Sequence, residues 1–358
     1  MTMLAAMFYG PLDVRLEQRP IPQPGQGEVL LQVAVATTCG TDVKTYRRGH
    51  PLLFRDTPAG FGHEVSGVVA LTGEEVVQCR EGDAVVVGNS APCQQCFYCK
   101  RGRYSLCEDL LFLNGAYAEY LLVPERIVRQ NLYKLAGASY VAAALTEPLA
   151  CALHGIDASE IRQDDTVVIL GSGPLGLLLA AVAKLRGTRV IVTGRGTPRL
   201  SLAHHFGADV VIDVSGLPLQ EQAEAVRKET GRGADVVIEA IGMPETWTLA
   251  ATLARPGGLV NFFGGCPSGT QVTLETRPLH YGELTIKGVF HHTPAYFAQA
   301  LELIAGHQID VEALVTACVP LASTLEVFDL LLQKQGVKYA LIPPAFEKAL
   351  VSQQAIPE

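Results

Sequence analysis

The sequence predicts an α/β protein: a doubly wound, six-stranded parallel sheet accompanied by a β-rich region. Three observations carry this expectation. Residues 1 to 35 read as short strands separated by proline and glycine. From Thr166 onward, apolar runs alternate with helical stretches. A glycine turn, Gly171-Ser172-Gly173-Pro174-Leu175-Gly176, joins the first of these runs to a leucine- and alanine-rich helix. At 358 residues, 48% of them hydrophobic and 18% charged, the chain suits two domains and can bury a large core.

In chain order, strand patterns at Leu4 to Tyr9 and Val29 to Val35 are divided by Pro20, Pro22, Pro24, Gly25 and Gly27. Thr38-Cys39-Gly40-Thr41-Asp42 then opens a helical or looped stretch to Arg48, and Gly62-His63-Glu64 enters a strand, Val65 to Leu71. Cysteine, histidine and carboxylate together suit zinc, although each alone has a duller explanation as a small buried hydrophobe or a surface pair. Cys93, Cys96 and Cys99, with Cys107 after seven intervening residues, place four thiolates on one short loop. Four thiolates can close a tetrahedron around one Zn²⁺ with no open position, which is a structural site. The Cys-Pro ending of a ferredoxin cluster run is missing. A strand follows Gly115 to Tyr120 and ends at Pro124. Ala142 to Leu145 and Ala150 to Leu153 read as helical around a break at Glu147-Pro148, where the carboxylate is expected to leave the helical register.

The turn at 171–176 has a physical reading at each position. Gly171 permits the tight turn, Gly173 lets backbone approach a pyrophosphate, and Gly176 lets the helix lie close on its strand. The helix that starts at Pro174 and Leu175 presents N–H groups to an anion. A tight turn with no ligand is the plainer reading, but the strand–turn–helix–strand context favours a dinucleotide. The next strand, Arg189 to Thr193, runs into Gly194-Arg195, without the acid that usually binds the adenosine ribose. Gly194 is read as leaving room for a 2′-phosphate, and Arg195 and Arg199 as its charged partners, so NADP(H) is expected over NAD(H). Solvated surface arginines are the alternative, and Asp213 is read as too far along the chain for the ribose. Strands at 210–214, 235–240, 259–264 and 284–290 and helices at 198–206, 218–230 and 245–254 complete the sheet. Helices at 295–305 and 324–333 and a strand at 338–342 follow.

A formal charge of −8 with no basic cluster argues against nucleic acid or an anionic membrane as partner and leaves a small molecule. The most apolar window is cut by Gly171, Gly173, Pro174 and Gly176, and the first residues lack a basic start, so a cytoplasmic protein without a membrane span is expected. Nine cysteines, four of them crowded together, read as metal ligation in a reducing compartment.

Cys39-Gly-Thr-Asp42, Gly62-His-Glu64, the four-cysteine lobe, Glu147-Pro148-Leu149 and the glycine turn, in this order, resemble the zinc-containing medium-chain dehydrogenases/reductases over nearly the whole chain. Glu147-Pro-Leu is most similar to the polyol and threonine dehydrogenase branch. The resemblance implies a GroES-like catalytic domain from residues 1–152 and 291–358, with a zinc lobe at 89–110, and a Rossmann domain at 153–290. It implies one catalytic zinc per chain on Cys39 and His63, with Glu64 and Glu147 as direct or water-mediated ligands, and one structural zinc. Thr41 would take the proton from the substrate hydroxyl, and Asp42 would fix the His63 ring. Where many relatives continue the relay through a histidine, this chain has Lys44, so the proton path could use Lys44, ribose and water, or His50. Segments 44–60, 112–117 and 290–292 would line the substrate pocket. The function implied is hydride transfer between NADP(H) and a secondary alcohol or polyol, or the matching carbonyl, in a homo-oligomeric dimer or tetramer. The alternatives are an enzyme for a cyclitol, amino-alcohol or sugar intermediate, an NAD-preferring polyol or threonine-type dehydrogenase, and a zinc-stabilised scaffold. The intact metal set counts against the scaffold.

Overall fold

Six parallel strands between Cys151 and His292 form one sheet, in the order Val210–Asp213, Arg189–Gly194, Thr166–Leu170, Ala234–Glu239, Ala254–Phe262 and Thr285–Gly288. The computed structural model describes residues 1–50, 53, 54 and 56–351. Val167, Val168, Ile169, Val190, Ile191 and Val192 are all fully buried, as expected of strands covered on both faces. The covering helices are Pro174–Leu185, Thr197–His205, Leu219–Thr230 and Pro244–Leu253. Chain order reverses between Thr166–Leu170 and Ala234–Glu239, which makes the carboxyl ends of these two strands the topological switch point. Gly171 sits there at φ +116°, and a Cβ on Gly176 would lie 1.9 Å from Gly171 O, so the helix approaches its strand as only glycine allows.

A second unit, Met1–Ala150 with Thr293–Glu358, is built from both chain ends. The units divide at 150/151 and 292/293, against the expected breaks at 152/153 and 290/291. Positions 352–358 of the expected terminal segment lie outside the described residues. The main sheet of this unit centres on Val29–Thr37, which pairs antiparallel with Glu64–Thr72, Tyr120–Val123 and Lys338–Ile342. Lys338–Ile342 in turn lies parallel to Val315–Pro320. This β-rich unit is mostly antiparallel. Within its largely aliphatic core, Phe8, Phe54, Phe61, Tyr117 and Phe328 form an aromatic cluster with ring centroids 4.9 to 6.2 Å apart.

Two expectations need correction. The break placed at Glu147-Pro148 falls earlier: Tyr140–Ala144 ends at Leu145, and Thr146–Ala158 is one helix with Glu147 and Pro148 in its first turn. A proline there gives up an N–H that the first turn leaves unpaired anyway, so it starts the helix instead of interrupting it. The sheet's fifth strand begins at Ala254, before its glycine pair, because a register shift lets Gly257 and Gly258 stay in the strand.

Candidate active site

Two sets of metal-ligating side chains lie within the unit built from both chain ends. The first is organised by the helix Gly40–Arg48. Cys39 is its N-cap: its Sγ accepts from Thr41 N at 3.4 Å, while the Asp42 carboxylate reaches back to Cys39 N at 3.2 Å. This reciprocal cap fixes the thiol at the helix start and holds Asp42 inward. Asp42 Oδ1 lies 3.0 Å from His63 Nδ1, and the Tyr117 hydroxyl donates to Asp42 Oδ2. The ligand atoms of Cys39, His63 and Glu64 all lie within 4.8 Å of one another.

Electrostatics at this centre are set by buried charge. Burial opposes a charged His63, yet Asp42 and Cys39 beside it outweigh that and hold its pKa well above the ordinary histidine value. Burial, reinforced by Asp42, pushes the Tyr117 phenol well up, so it remains a donor. Glu64 is fully buried, and Lys338 Nζ sits 2.8 and 2.6 Å from its two oxygens, with the Thr37 hydroxyl donating to the same carboxylate. Burial works against the Lys338 ammonium, but Glu64, followed by Cys39, raises its pKa. Lys338 and Thr37 were not among the residues expected at the site, and Tyr117 was expected there only as part of the 112–117 pocket lining. The one sequence signal for Lys338 is a lysine opening an otherwise apolar strand.

Glu147 is buried, and its Oε1 accepts from Asn89 Nδ2 at 3.3 Å. Its charge is felt at Lys338, but its oxygens are not within 4.8 Å of all three other ligand atoms. Lys44 is exposed. His50 is half-buried, and burial lowers its pKa, with positive neighbours including His63 adding to the effect. Positions 51, 52 and 55 of the expected 44–60 pocket lining lie outside the described residues.

The second set is Cys93, Cys96, Cys99 and Cys107, whose sulfurs also lie within 4.8 Å of one another, with Cys93 Sγ 4.0 Å from Cys99 Sγ. A tetrahedron with Zn–S bonds of about 2.3 Å has sulfurs about 3.8 Å apart, so the spacing suits zinc and is far too long for a disulfide. The Cys99 and Glu108 backbone N–H groups pull the Cys96 thiol down to about 6, whereas burial pushes Cys99 up to about 12.

The Cys39 centre passes the same test of fit. Asp42, Glu64 and Glu147 are buried carboxylates, and Lys338 is the buried lysine or arginine of this unit among the described residues. A cation on the thiol, imidazole and carboxylate set would balance that negative excess, and Asp42 on Nδ1 leaves Nε2 to ligate.

In the 151–292 unit, the end of the second strand differs from expectation twice. A Cβ on Gly194 would lie 2.0 Å from Ser172 Oγ and 3.0 Å from Leu200 Cδ2. Packing of the glycine turn therefore requires the glycine, and its bareness is no sign of room for a phosphate. Asp213, remote in sequence, is the register partner of Gly194 on the adjacent strand. Arg195 is exposed and Arg199 half-buried, with burial lowering the Arg199 pKa. No side chain caps the helix that starts at Pro174, and a Cβ on Gly173 would meet nothing within 4 Å, so this turn is open to a ligand's approach.

A two-unit fold with a GroES-like β unit, a doubly wound sheet and paired metal sets defines an oxidoreductase of the zinc alcohol dehydrogenase type. Family models agree: residues 25–132 match the alcohol dehydrogenase GroES-like domain and residues 174–306 the zinc-binding dehydrogenase. The chain is 33% identical to sorbitol dehydrogenase of Homo sapiens, over 94% of this chain and 95% of that protein. A zinc-binding dehydrogenase structure from Sinorhizobium meliloti 1021, bound to NADP, superposes with TM-score 0.85 at 29% identity, covering 96% of this chain and 100% of that one. A short chain alcohol dehydrogenase structure from Escherichia coli CFT073, complexed with NADH, gives 0.84 at 27% identity, covering 95% and 99%. The chain belongs to the zinc-containing medium-chain dehydrogenase/reductase family, in its polyol branch. It is an enzyme acting on CH–OH groups. No helix among the described residues is long and apolar enough to cross a membrane.

Proposed function

We propose that the chain oxidises a secondary alcohol of a polyol, or reduces the matching ketone, with NADP(H) as coenzyme and one catalytic and one structural zinc per chain. The observation that carries this reading is the joint placement of Cys39, His63 and Glu64 around a helix N-cap, with Asp42 holding the imidazole. Cys39 and His63 would hold the catalytic zinc, with Glu64 or Glu147 completing the set directly or through water. Cys93, Cys96, Cys99 and Cys107 would hold the structural one. When bound, zinc polarises the substrate's C–O group and the nicotinamide ring accepts or returns the hydride.

The chain's own residues supply the remainder. Asp42 fixes the His63 tautomer, and Tyr117 fixes Asp42. Lys338 supplies a buried cation against both oxygens of the Glu64 carboxylate. Thr41 would accept the hydroxyl proton as the carbon loses hydride, and His50, neutral because burial lowers its pKa, would pass it to solvent. An exposed Lys44 is not needed on that path.

NADP(H) preference is supported by the arginines at 195 and 199 and by the likeness to an NADP-bound structure. NAD(H) is the rival reading, and a specific observation favours it: Asp213 stands beside Gly194, where a carboxylate could receive a ribose hydroxyl. Sorbitol oxidation with each coenzyme, in the parent and in Arg195→Ala and Asp213→Ala, separates them. A higher kcat/KM with NADP⁺ that falls about tenfold in Arg195→Ala supports the proposal. A parent preferring NAD⁺ and losing it in Asp213→Ala overturns the coenzyme assignment.

A further inference from the structure

Glu239 ends the fourth strand of the parallel sheet, at the switch point, and is fully buried. A carboxylate in that place must have its oxygens satisfied, and the donors it takes come from the turn that follows. Ile241 N donates to Oε1 at 2.9 Å, Gly242 N lies 2.9 and 3.1 Å from the two oxygens, and the Thr246 hydroxyl is 2.7 Å from Oε1. Such charge-assisted bonds are stronger than neutral ones and dictate the path of residues 240–242.

That path also shapes the two neighbouring turns. A Cβ on Gly171 would lie 2.9 Å from Ile241 Cγ1, so the glycine turn rests on Ile241. Gly264 N donates to the Glu239 carbonyl at 2.7 Å, a Cβ on Gly264 would lie 2.6 Å from Glu239 Oε2, and Trp247 Nε1 ties Gly264 O at 2.9 Å. Turns 171–176, 240–242 and 263–265 leave the carboxyl ends of three adjacent strands, where doubly wound sheets bind their ligands. One buried side chain touches two of these turns directly and supports the third through Ile241.

We infer that Glu239 is a coenzyme-positioning residue, whose carboxylate holds the 240–242 turn so that all three turns present one preformed surface to the dinucleotide. The inference rests on the 151–292 unit carrying a nicotinamide coenzyme. Glutamine at 239 keeps the shape but turns an NH₂ group towards Gly242 N or its neighbours, so one donor faces another.

The test is fluorescence titration of zinc-replete full-length protein with NADPH and with NADH, alongside steady-state kinetics. In Glu239→Gln the coenzyme Kd and KM should rise about tenfold for whichever coenzyme the parent prefers, with kcat at saturating coenzyme and zinc content kept. Thr246→Val, which removes the hydroxyl's contacts with Glu239 Oε1 and the Met243 carbonyl but leaves the Ile241 and Gly242 bonds to the carboxylate, should raise Kd about threefold with little change in melting temperature. A purely structural role would lower the melting temperature and the active fraction without moving Kd, so a Glu239→Gln Kd within about twofold of the parent overturns the inference. Where Glu239→Gln fails to fold, Thr246→Val decides, and a parental Kd there overturns it equally. A parent that binds neither coenzyme up to about 1 mM overturns the underlying coenzyme reading itself.

Discussion

Lys338 Nζ lies 2.6 and 2.8 Å from the two carboxylate oxygens of Glu64, a residue 274 positions earlier in the chain. Strand pairing produces the contact. Thr37 is the register partner of both Glu64 and Ala340, and Thr38 N donates to Tyr339 O, so Val29–Thr37 lies between the two strands and its end brings the start of the C-terminal strand close to Glu64.

Removing one partner of that pair leaves a buried charge uncompensated. Lys338→Met should lower stability by about 3–5 kcal/mol, and the double variant Lys338→Met/Glu64→Gln should recover much of the loss. Urea unfolding of metal-stripped protein checks this, since zinc would otherwise offset the lost cation. A double variant no more stable than the single would contradict the pairing.

Cys99 is the most buried of the four lobe cysteines. Cys99→Ser should lose one zinc per chain and unfold at a lower temperature, because a structural zinc contributes folding energy directly. Retained zinc on metal analysis would place the ion elsewhere.

Burial lowers the His50 pKa, so the imidazole is neutral above a value below about 6.5. As an acceptor it should sustain alcohol oxidation until the pH falls through that lowered pKa. His50→Gln should cut kcat about tenfold to a hundredfold and remove that acid limb from the kcat profile. An unchanged profile would take His50 off the proton path.

In the parallel-sheet unit, Asp235 accepts from Thr166 N at 2.8 Å and Arg255 Nε at 2.6 Å. Burial opposes its ionisation, but these donors prevail and its pKa is lowered. A carboxylate with a depressed folded-state pKa contributes stability above its unfolded value of about 3.9, and that stability is lost as pH falls through the folded one. Asp235→Asn should therefore cost about 1–2 kcal/mol at neutral pH, with the gap to the parent narrowing below about pH 4. A gap that stays constant with pH would contradict the assignment.

Much of this molecule is legible from residues because its punctuation is local. Gly171 stops Thr166–Leu170, Gly336 and Pro343 bracket Lys338–Ile342, and the expected ends coincide with the observed ones. The four-cysteine lobe is equally local, as ligand spacing needs only a few neighbouring positions. What was not legible is carried by strand pairing. Nothing near Lys338 announces Glu64, nothing near Gly115 to Tyr120 announces that Tyr117 would meet Asp42, and Asp213 looks distant until a parallel register sets it beside Gly194. Gly194 was read as leaving room for a phosphate, but Ser172 packs against it, a contact between turns that sequence spacing does not show.

The central claim, a catalytic zinc on the Cys39 set serving hydride transfer, is tested most directly by zinc content and sorbitol turnover in the parent and in Cys39→Ser. The account predicts two zinc ions per parent chain, and one in the variant, with turnover lost and coenzyme binding kept. A variant that holds as much zinc as the parent, or still turns over, would contradict it.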